Sequence, residues 1–237
     1  MKKIKLLQNK ILNNVANESE PKTLVEMAYR RLRRDIIEGR LAPGEKLRVE
    51  HLKEGYGVGA GTLREALSLL MSDALVLIQG QRGFCVTPVS AEDFEDITKT
   101  RVMLECEALR QSINLGDEAW EGDLLSAFHR LSKAEEKLAD EGGREEWEER
   151  NRIFHEVLIK ACPSQWLKHF LGILFHQAER YRRIALYKRP IPRDVHNEHE
   201  KLLKATMSRN PELATAILAE HIQLTFQAFK KLSKTFN

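Results

Sequence analysis

Three histidines and one asparagine in the second half of the chain have the chemistry of metal ligands. Asn151 and His155 lie four residues apart in NRIFH, so a helix would present both on one face. His199 and His221 follow in two later segments with a helical pattern. Imidazole nitrogens with an oxygen donor suit zinc, nickel, iron or manganese rather than calcium. Together these residues could hold a divalent metal and leave positions on it open.

Each histidine also has an interpretation as an ordinary core residue. His221 shares its helical stripe with apolar residues, namely Leu213, Ile217, Leu218 and Leu224. A histidine in such surroundings is usually a hydrogen-bonded core group. The residues by themselves therefore leave a metal site and a purely structural role open.

A second candidate site is a short amphipathic helix predicted over Thr62–Ser72. Thr62 and Glu65 have the spacing of a capping box. One apolar stripe is formed by Leu63, Ala66, Leu67, Leu70 and Met71. Arg64 and Ser68 lie one turn apart on the opposite face. An arginine presented in this way can read guanine in the DNA major groove, and the alternative is a solvated surface face.

The elements around this helix predict a winged helix-turn-helix. A capping box at Thr23 and Glu26 opens a helix to about Glu38, and a second helix runs from Val49 to about Tyr56. A glycine-rich turn leads into the Thr62 helix. Two apolar runs then flank Gln79-Gly80-Gln81-Arg82 as a β-hairpin with a basic tip. The candidate DNA contacts are Arg64, Ser68, Thr62, Arg82, Arg48 and Gly61.

The distribution of charge agrees with a polyanion partner at the front of the chain. Residues 1–88 carry 15 Lys and Arg against 10 Asp and Glu, a net charge of +5. The remaining residues carry 23 against 25, a net charge of −2. A basic front and a mildly acidic back favour nucleic-acid binding by the front, although ordinary scatter in charge is the alternative.

Cysteine usage and hydropathy favour a cytoplasmic protein. Cys85, Cys106 and Cys162 are odd in number and widely spaced, which implies no disulfide framework and fits a reducing compartment. No stretch approaches the ~18 apolar residues of a membrane span. The first residues begin like the basic region of a signal peptide, but Gln8, Asn9 and Lys10 interrupt them before an apolar core develops. We expect a loose or weakly helical N-terminal arm over residues 1–21.

The fold class predicted is mostly α. Gly and Pro are few, and six further helical segments follow the hairpin, at about 90–114, 117–140, 145–161, 164–188, 194–209 and 211–233. We therefore expect an N-terminal winged helix-turn-helix, with three helices and a hairpin wing, over residues 22–88. An all-α antiparallel bundle would occupy residues 89–237.

The first of these domains resembles the GntR superfamily of bacterial transcription regulators. The matching segments are RRDIIEGRLAPGEKL, LREAL and QRGFCV, over about residues 24–88. The family usually has an arginine early in the turn before its recognition helix, where this chain has Ala60. Of the base contacts that the resemblance implies, Arg64 is the one carried over.

The bundle resembles the FCD effector domain of the FadR-like branch of that superfamily, over about residues 90–233. The resemblance rests on Arg101, Glu105, Phe154-His155, Glu198-His199 and His221. It implies a metal site in which a carboxylate precedes the first histidine by four residues, and Asn151 stands in that position here. It also implies a small carboxylate effector, for which Arg101 is the candidate partner. A salt bridge from Arg101 to a bundle glutamate is the alternative.

These inferences favour a regulator that binds a palindromic operator as a dimer and responds to a small organic acid. Dimerisation is expected because one short recognition helix has too few contacts, and a two-fold dimer doubles them. The alternatives are a metal-dependent hydrolase built on the histidine cluster and a regulator with structural histidines that senses a protein partner. A hydrolase would need an acid/base group beside the metal, which the sequence positions of Glu156 and Glu198 do not establish.

Overall fold

The computed structural model describes residues 21–80, 83–138, 140, 142–186 and 194–233. The predicted N-terminal arm, apart from Pro21, lies outside the described residues, as does Arg82. The chain forms two compact units. The first contains the described residues up to Asp93 together with His176–Ile184, and the second contains Phe94–Phe175 and the described residues from Ala185 onward.

The first unit contains three helices and a small antiparallel sheet. The helices are α1 (Leu24–Ile37), α2 (Val49–Tyr56) and α3 (Ala60–Ser72). The strands are β1 (Lys46–Leu47), β2 (Val76–Ile78) and β3 (Phe84–Val86), in the order β1-β3-β2. The predicted hairpin is confirmed, with Leu77 opposite Cys85. Sequence analysis missed β1, because two residues are too few for a pattern that alternates between faces.

The start of α1 follows its sequence signal. Thr23 Oγ1 accepts a hydrogen bond from the Glu26 backbone N–H at 3.1 Å. This bond satisfies one of the backbone N–H groups that have no partner within the first turn of a helix. The Glu26 carboxylate accepts from the Lys22 N–H at 2.9 Å. The capping box is therefore only half formed, because the Glu26 carboxylate binds the backbone N–H of Lys22 and not that of the cap residue Thr23.

The capping box predicted at Thr62 is wrong. Helix α3 begins at Ala60 with Gly59 as its N-cap and has no side-chain cap. Gly57 ends α2 in the left-handed conformation with φ 66°, which glycine adopts without a steric penalty. The chain is then extended at Gly59 and resumes a helix at once. Arg64 consequently lies in the second turn of α3 and not in the first.

A core of aliphatic residues holds α3 against α1 and the sheet. Among its fully buried members are Leu32, Leu63, Leu67, Leu70 and Val86. The segment His176–Ile184 belongs to the same unit and forms hydrogen bonds to residues at the end of α3 and before the second unit. Gln177 Nε2 donates to the Asp73 carbonyl at 2.8 Å, and the Tyr181 hydroxyl donates to the Asp93 carboxylate at 2.6 Å.

The second unit is helical throughout its described residues. Its helices are α4 (Ala91–Leu115), α5 (Glu118–Glu135), α6 (Gly143–Leu158), α7 (Gln165–Leu186), α8 (Val195–Met207) and α9 (Pro211–Ser233). Helix α4 begins in the first unit, and residues His176–Ile184 of α7 belong to that unit. The six predicted helices are confirmed, and so is the mostly α fold class. Helix α5 ends at Glu135, earlier than predicted. Gly142, the N-cap residue of α6, has a φ of 75°.

The core of the second unit contains charged and polar side chains. Helix α5 packs against α6 and α8, and α8 against α9, around apolar residues such as Leu109, Leu124, Phe154 and Leu202. Among these lie Arg101, Glu105, Glu148, Asn151, His155, His199 and His221, all less than a tenth exposed. Burial of such groups is costly unless they are paired, so this region is where a functional site is expected. None of the helices, over the residues described, is long and apolar enough to cross a membrane.

Candidate metal centre and nucleic-acid interface

The structure brings the three histidines together. His155 comes from α6, His199 from α8 and His221 from α9. One ligand nitrogen from each lies within 4.8 Å of the others, and the residues are 3 %, 0 % and 7 % exposed. Residues that are distant in the sequence thus form one buried cluster of imidazoles, as expected for a metal centre.

A carboxylate faces the Nδ1 atom of each imidazole. The distance is 2.8 Å from Glu198 Oε2 to His221, 3.7 Å from Glu135 Oε1 to His199 and 3.9 Å from Glu105 Oε2 to His155. Burial of Glu135 would raise its pKa, but its contacts with His199, His196 and Trp147 outweigh that effect and lower the pKa. Glu135 is therefore held as an anion beside the cluster.

Asn151 lies on the buried face of α6, one helical turn before His155. It is 6 % exposed, so its amide is inside the unit and not in solvent. Glu148 lies a further turn toward the start of α6 and is 3 % exposed. Asn151 and His155 therefore share one face of a helix, as predicted from NRIFH, and that face is buried.

Arg101 lies in α4 and forms a buried ion pair. Its Nε donates to Glu105 Oε1 at 2.6 Å, with both side chains 5 % exposed or less. The guanidinium carbon is 4.8 Å from the centre of the Phe175 ring, and that ring is 5.7 Å from the ring of His155. The salt bridge to a bundle glutamate, one of the two roles open for Arg101, is therefore present.

The donor set of the cluster fits a transition metal. Zinc binds histidine nitrogen at about 2.0–2.1 Å, which puts tetrahedral ligands about 3.4 Å apart. The nitrogens here lie within 4.8 Å of one another, so small side-chain rotations would suffice to reach that spacing. Three imidazoles suit a borderline metal better than calcium, which prefers oxygen ligands.

The exposed face of α3 carries most of the candidate DNA contacts. Gly61, Arg64 and Ser68 are exposed there, while Thr62 is half-buried. Ser68 Oγ donates to the Arg64 carbonyl at 2.8 Å. Arg48 is exposed as the N-cap residue of α2, and Arg82 lies outside the described residues. The face opposite the core thus presents a guanidinium to solvent.

Sequence reasoning missed Glu135 and Phe175 at the histidine cluster. No short-range signal identifies Glu135, because its partners His196 and His199 follow more than sixty residues later. Phe175 looks like any apolar helix residue. Glu198 had a usable signal, since it directly precedes His199, but only the fold shows that it bonds to His221.

Comparison with known proteins shows matches along most of the chain. Residues 24–86 match the model of bacterial regulatory proteins of the gntR family, and residues 96–224 match the FCD domain. A protein of Paraburkholderia xenovorans described as an uncharacterized HTH-type transcriptional regulator, BphR, is 47 % identical over 89 % of this chain and 86 % of its own. The HTH-type transcriptional repressor GlaR of Escherichia coli is 35 % identical over 82 % of this chain and 90 % of its own.

Solved structures show the same fold. E. coli McbR/YncC superposes with a TM-score of 0.73, covering 91 % of this chain and 99 % of that one at 23 % identity. A putative transcriptional regulator GntR from Rhodococcus sp. RHA1 gives 0.71, covering 90 % and 99 % at 20 % identity. At such identities the similarity concerns the fold alone.

The winged helix-turn-helix and the helical unit define a DNA-binding transcription regulator and not an enzyme. The relatives BphR and GlaR are described as an HTH-type transcriptional regulator and an HTH-type transcriptional repressor. The chain belongs to the GntR family of bacterial regulators, in the branch that carries an FCD domain. Near the histidines, Glu156 pairs with Arg152 at 2.5 Å and Glu198 bonds to His221, so both acids that the hydrolase alternative invoked have other partners.

We expect the Arg101–Glu105 pair to be a large contributor to the stability of the second unit. Glu105→Ala would leave the buried guanidinium without this carboxylate, which typically costs about 3–5 kcal/mol. The matched control is Glu95→Ala on the same helix, where Glu95 pairs with Lys99 at the same i, i+4 spacing but in solvent. Hydrogen exchange of the α4 amides would measure both. Equal protection in the two variants would contradict a role of burial.

Proposed function

We propose that this regulator binds a palindromic operator as a dimer and changes its DNA affinity when a small carboxylate binds at or near a metal in the helical unit. The observation that carries the proposal is the convergence of His155, His199 and His221 within 4.8 Å inside the FCD domain. A buried imidazole cluster of this kind is far more suited to holding an ion than to filling a core. Action on a bacterial chromosome implies a cytoplasmic protein.

The metal in this proposal is a divalent transition metal, zinc or nickel before manganese or iron. Imidazole is a ligand for all four. His155, His199 and His221 would supply nitrogens, and Asn151 an amide oxygen from the turn before His155. An amide is neutral and a weaker donor than a carboxylate, so an acidic effector would add the negative charge that this set lacks. When bound, the metal would supply a Lewis-acid attachment point for that acid.

Arg101 is the proposed partner for the carboxylate of the effector. A guanidinium matches a carboxylate with two parallel hydrogen bonds. Its present partner, Glu105, is itself a carboxylate whose Oε1 accepts from Arg101 Nε at 2.6 Å, so this guanidinium already binds one acid inside the protein. An incoming acid would share the guanidinium with Glu105 or replace it.

On DNA, the proposal assigns base recognition to Arg64 and backbone contacts to its surroundings. Arg64 is exposed on α3, and Ser68, Thr62 and Gly61 lie near it on the helix. Arg48 and Arg82 would contact phosphates from the start of α2 and from the wing. The relative GlaR is described as a repressor, and we propose the same sign of regulation for this chain.

The metal part of the proposal predicts that the protein retains a transition metal through its histidines. His155→Ala and His199→Ala are expected to abolish stoichiometric zinc, and Asn151→Asp to tighten it because a carboxylate is a stronger donor. His129→Ala is the control, since His129 is exposed. Elemental analysis and melting with and without chelator measure this. Wild-type protein that stays free of metal and melts identically after zinc supplementation would leave only structural histidines and a protein partner as the signal.

The effector part predicts a carboxylate ligand that depends on Arg101. Calorimetry of zinc-loaded protein with mono- and dicarboxylates should find a binder that changes operator affinity by about 5- to 150-fold, a typical allosteric coupling. Arg101→Lys keeps the charge beside Glu105 but loses the planar fork, so it should weaken this binder. Arg110→Lys, on the exposed side of α4, is the control. Unchanged affinities in Arg101→Lys would exclude Arg101 as the partner.

The DNA part predicts that Arg64 carries sequence specificity. Loss of a bidentate guanine contact costs about 1–3 kcal/mol per half-site, and a symmetric dimer loses it twice. Arg64→Ala should therefore weaken operator binding by up to several orders of magnitude and binding to scrambled DNA much less. Arg82→Ala should instead weaken both and reduce the salt dependence. Titrations with both duplexes at two salt concentrations separate these cases, and an equal loss on both for Arg64→Ala would make it a phosphate contact.

A further inference from the structure

The orientation of each histidine in the cluster depends on what binds its second ring nitrogen. An imidazole ligates a metal through one nitrogen, and the tautomer is set by the hydrogen bond that the other makes. Three rings in one buried cluster have several possible combinations of tautomers. Only combinations that direct their lone pairs to a common point make a metal site.

Glu198 is the carboxylate whose position most directly determines the tautomer of a histidine in the cluster. Its Oε2 lies 2.8 Å from His221 Nδ1, which is a hydrogen-bond distance. Glu135 at 3.7 Å from His199 and Glu105 at 3.9 Å from His155 face the corresponding nitrogens at longer range. Nδ1 is thus the nitrogen that faces an acid in all three rings, which favours Nε2 as the ligand atom.

We propose that Glu198 is a positioning residue for the metal site. Its carboxylate accepts the Nδ1–H of His221 and so directs the Nε2 lone pair of that ring into the cluster. Glu135 and Glu105 have the same relation to His199 and His155 at longer range. This inference rests on the metal site of the proposed function and deepens it.

The position of Glu198 in the fold supports this role. It precedes His199 directly on α8, and neighbouring residues of a helix are about 100° apart around its axis. His199 is 0 % exposed, while the side chain of Glu198 is 18 % exposed and bonded to α9. One turn of α8 therefore supplies one candidate ligand and orients another, so a shift of α8 against α9 would alter both.

The negative charge of Glu198 would also strengthen the binding of a metal ion. The three imidazoles and the Asn151 amide are neutral when they bind a metal, so the ligands themselves would not balance the charge of a divalent ion. The carboxylates behind the rings would supply that negative charge and make the imidazoles more basic ligands. Glu198 has the shortest contact to a ring of the cluster.

The test is the zinc affinity of Glu198 variants, measured by competition with a chromophoric chelator. Loss of a carboxylate behind a histidine ligand typically costs 10–100-fold in metal affinity, and we expect this for Glu198→Ala. Glu198→Gln keeps an oxygen that can accept Nδ1–H and should lose less. Glu200→Ala is the control on the same helix. It pairs with Lys204 in solvent, so its zinc affinity should stay within about twofold of wild type because such pairs contribute little.

A double-mutant cycle distinguishes positioning from a general effect on folding. If Glu198 acts through His221, then Glu198→Ala should weaken zinc binding little further in a His221→Ala background. Long-range ¹⁵N–¹H spectra of the metal-free wild type report the tautomer of each histidine directly. They should show His221, assigned with His221→Gln, with its proton on Nδ1.

Different results would contradict the metal site itself and the role of Glu198 in it. Zinc retained by both His155→Ala and His199→Ala would overturn the metal site itself. Loss of zinc in those variants, with wild-type affinity in Glu198→Ala or with the His221 proton on Nε2, would overturn only the role of Glu198. Equal losses for Glu198→Ala alone and in the His221→Ala background would also overturn it.

Discussion

The helical unit depends on keeping charged and polar groups together in a region from which water is largely excluded. Arg101 and Glu105 are 4 % and 1 % exposed, and a guanidinium or carboxylate in that environment is tolerated only with a close partner. The same condition applies to the histidines, each of which faces an acid. The helices must therefore pack so that these groups meet, and this requirement restricts their arrangement in addition to apolar burial.

Aromatic residues fix the positions of these groups in turn. Phe175 lies between the guanidinium of Arg101 and the ring of His155, and Phe154 packs edge-on against His199. Such side chains have few rotamers and large contact areas, so they restrict how far the polar groups can move. A change in the Arg101–Glu105 pair would consequently act on α4, α6 and α7 together.

In the DNA-binding unit, by contrast, the polar side chains that could contact DNA have to remain exposed to solvent. Helix α3 buries Leu63, Leu67 and Leu70 completely and leaves Arg64 and Ser68 outside. A short helix would be marginal alone, and its packing on α1 and the sheet makes it a rigid support for the arginine.

The sequence by itself determined the helices, the hairpin and the two candidate sites. Periodicity, Thr23 and the Pro and Gly breaks act locally, so they define segments without knowledge of the fold. The start of α3 was predicted two residues late, because the backbone at Gly57 and Gly59 overrode the side-chain signal of Thr62. Only the tertiary structure decided that His155, His199 and His221 converge, that Arg101 pairs with Glu105 and that Glu198 bonds to His221. These contacts join residues on different helices or choose among several possible partners, and one-dimensional spacing contains no information on which helices pack side by side.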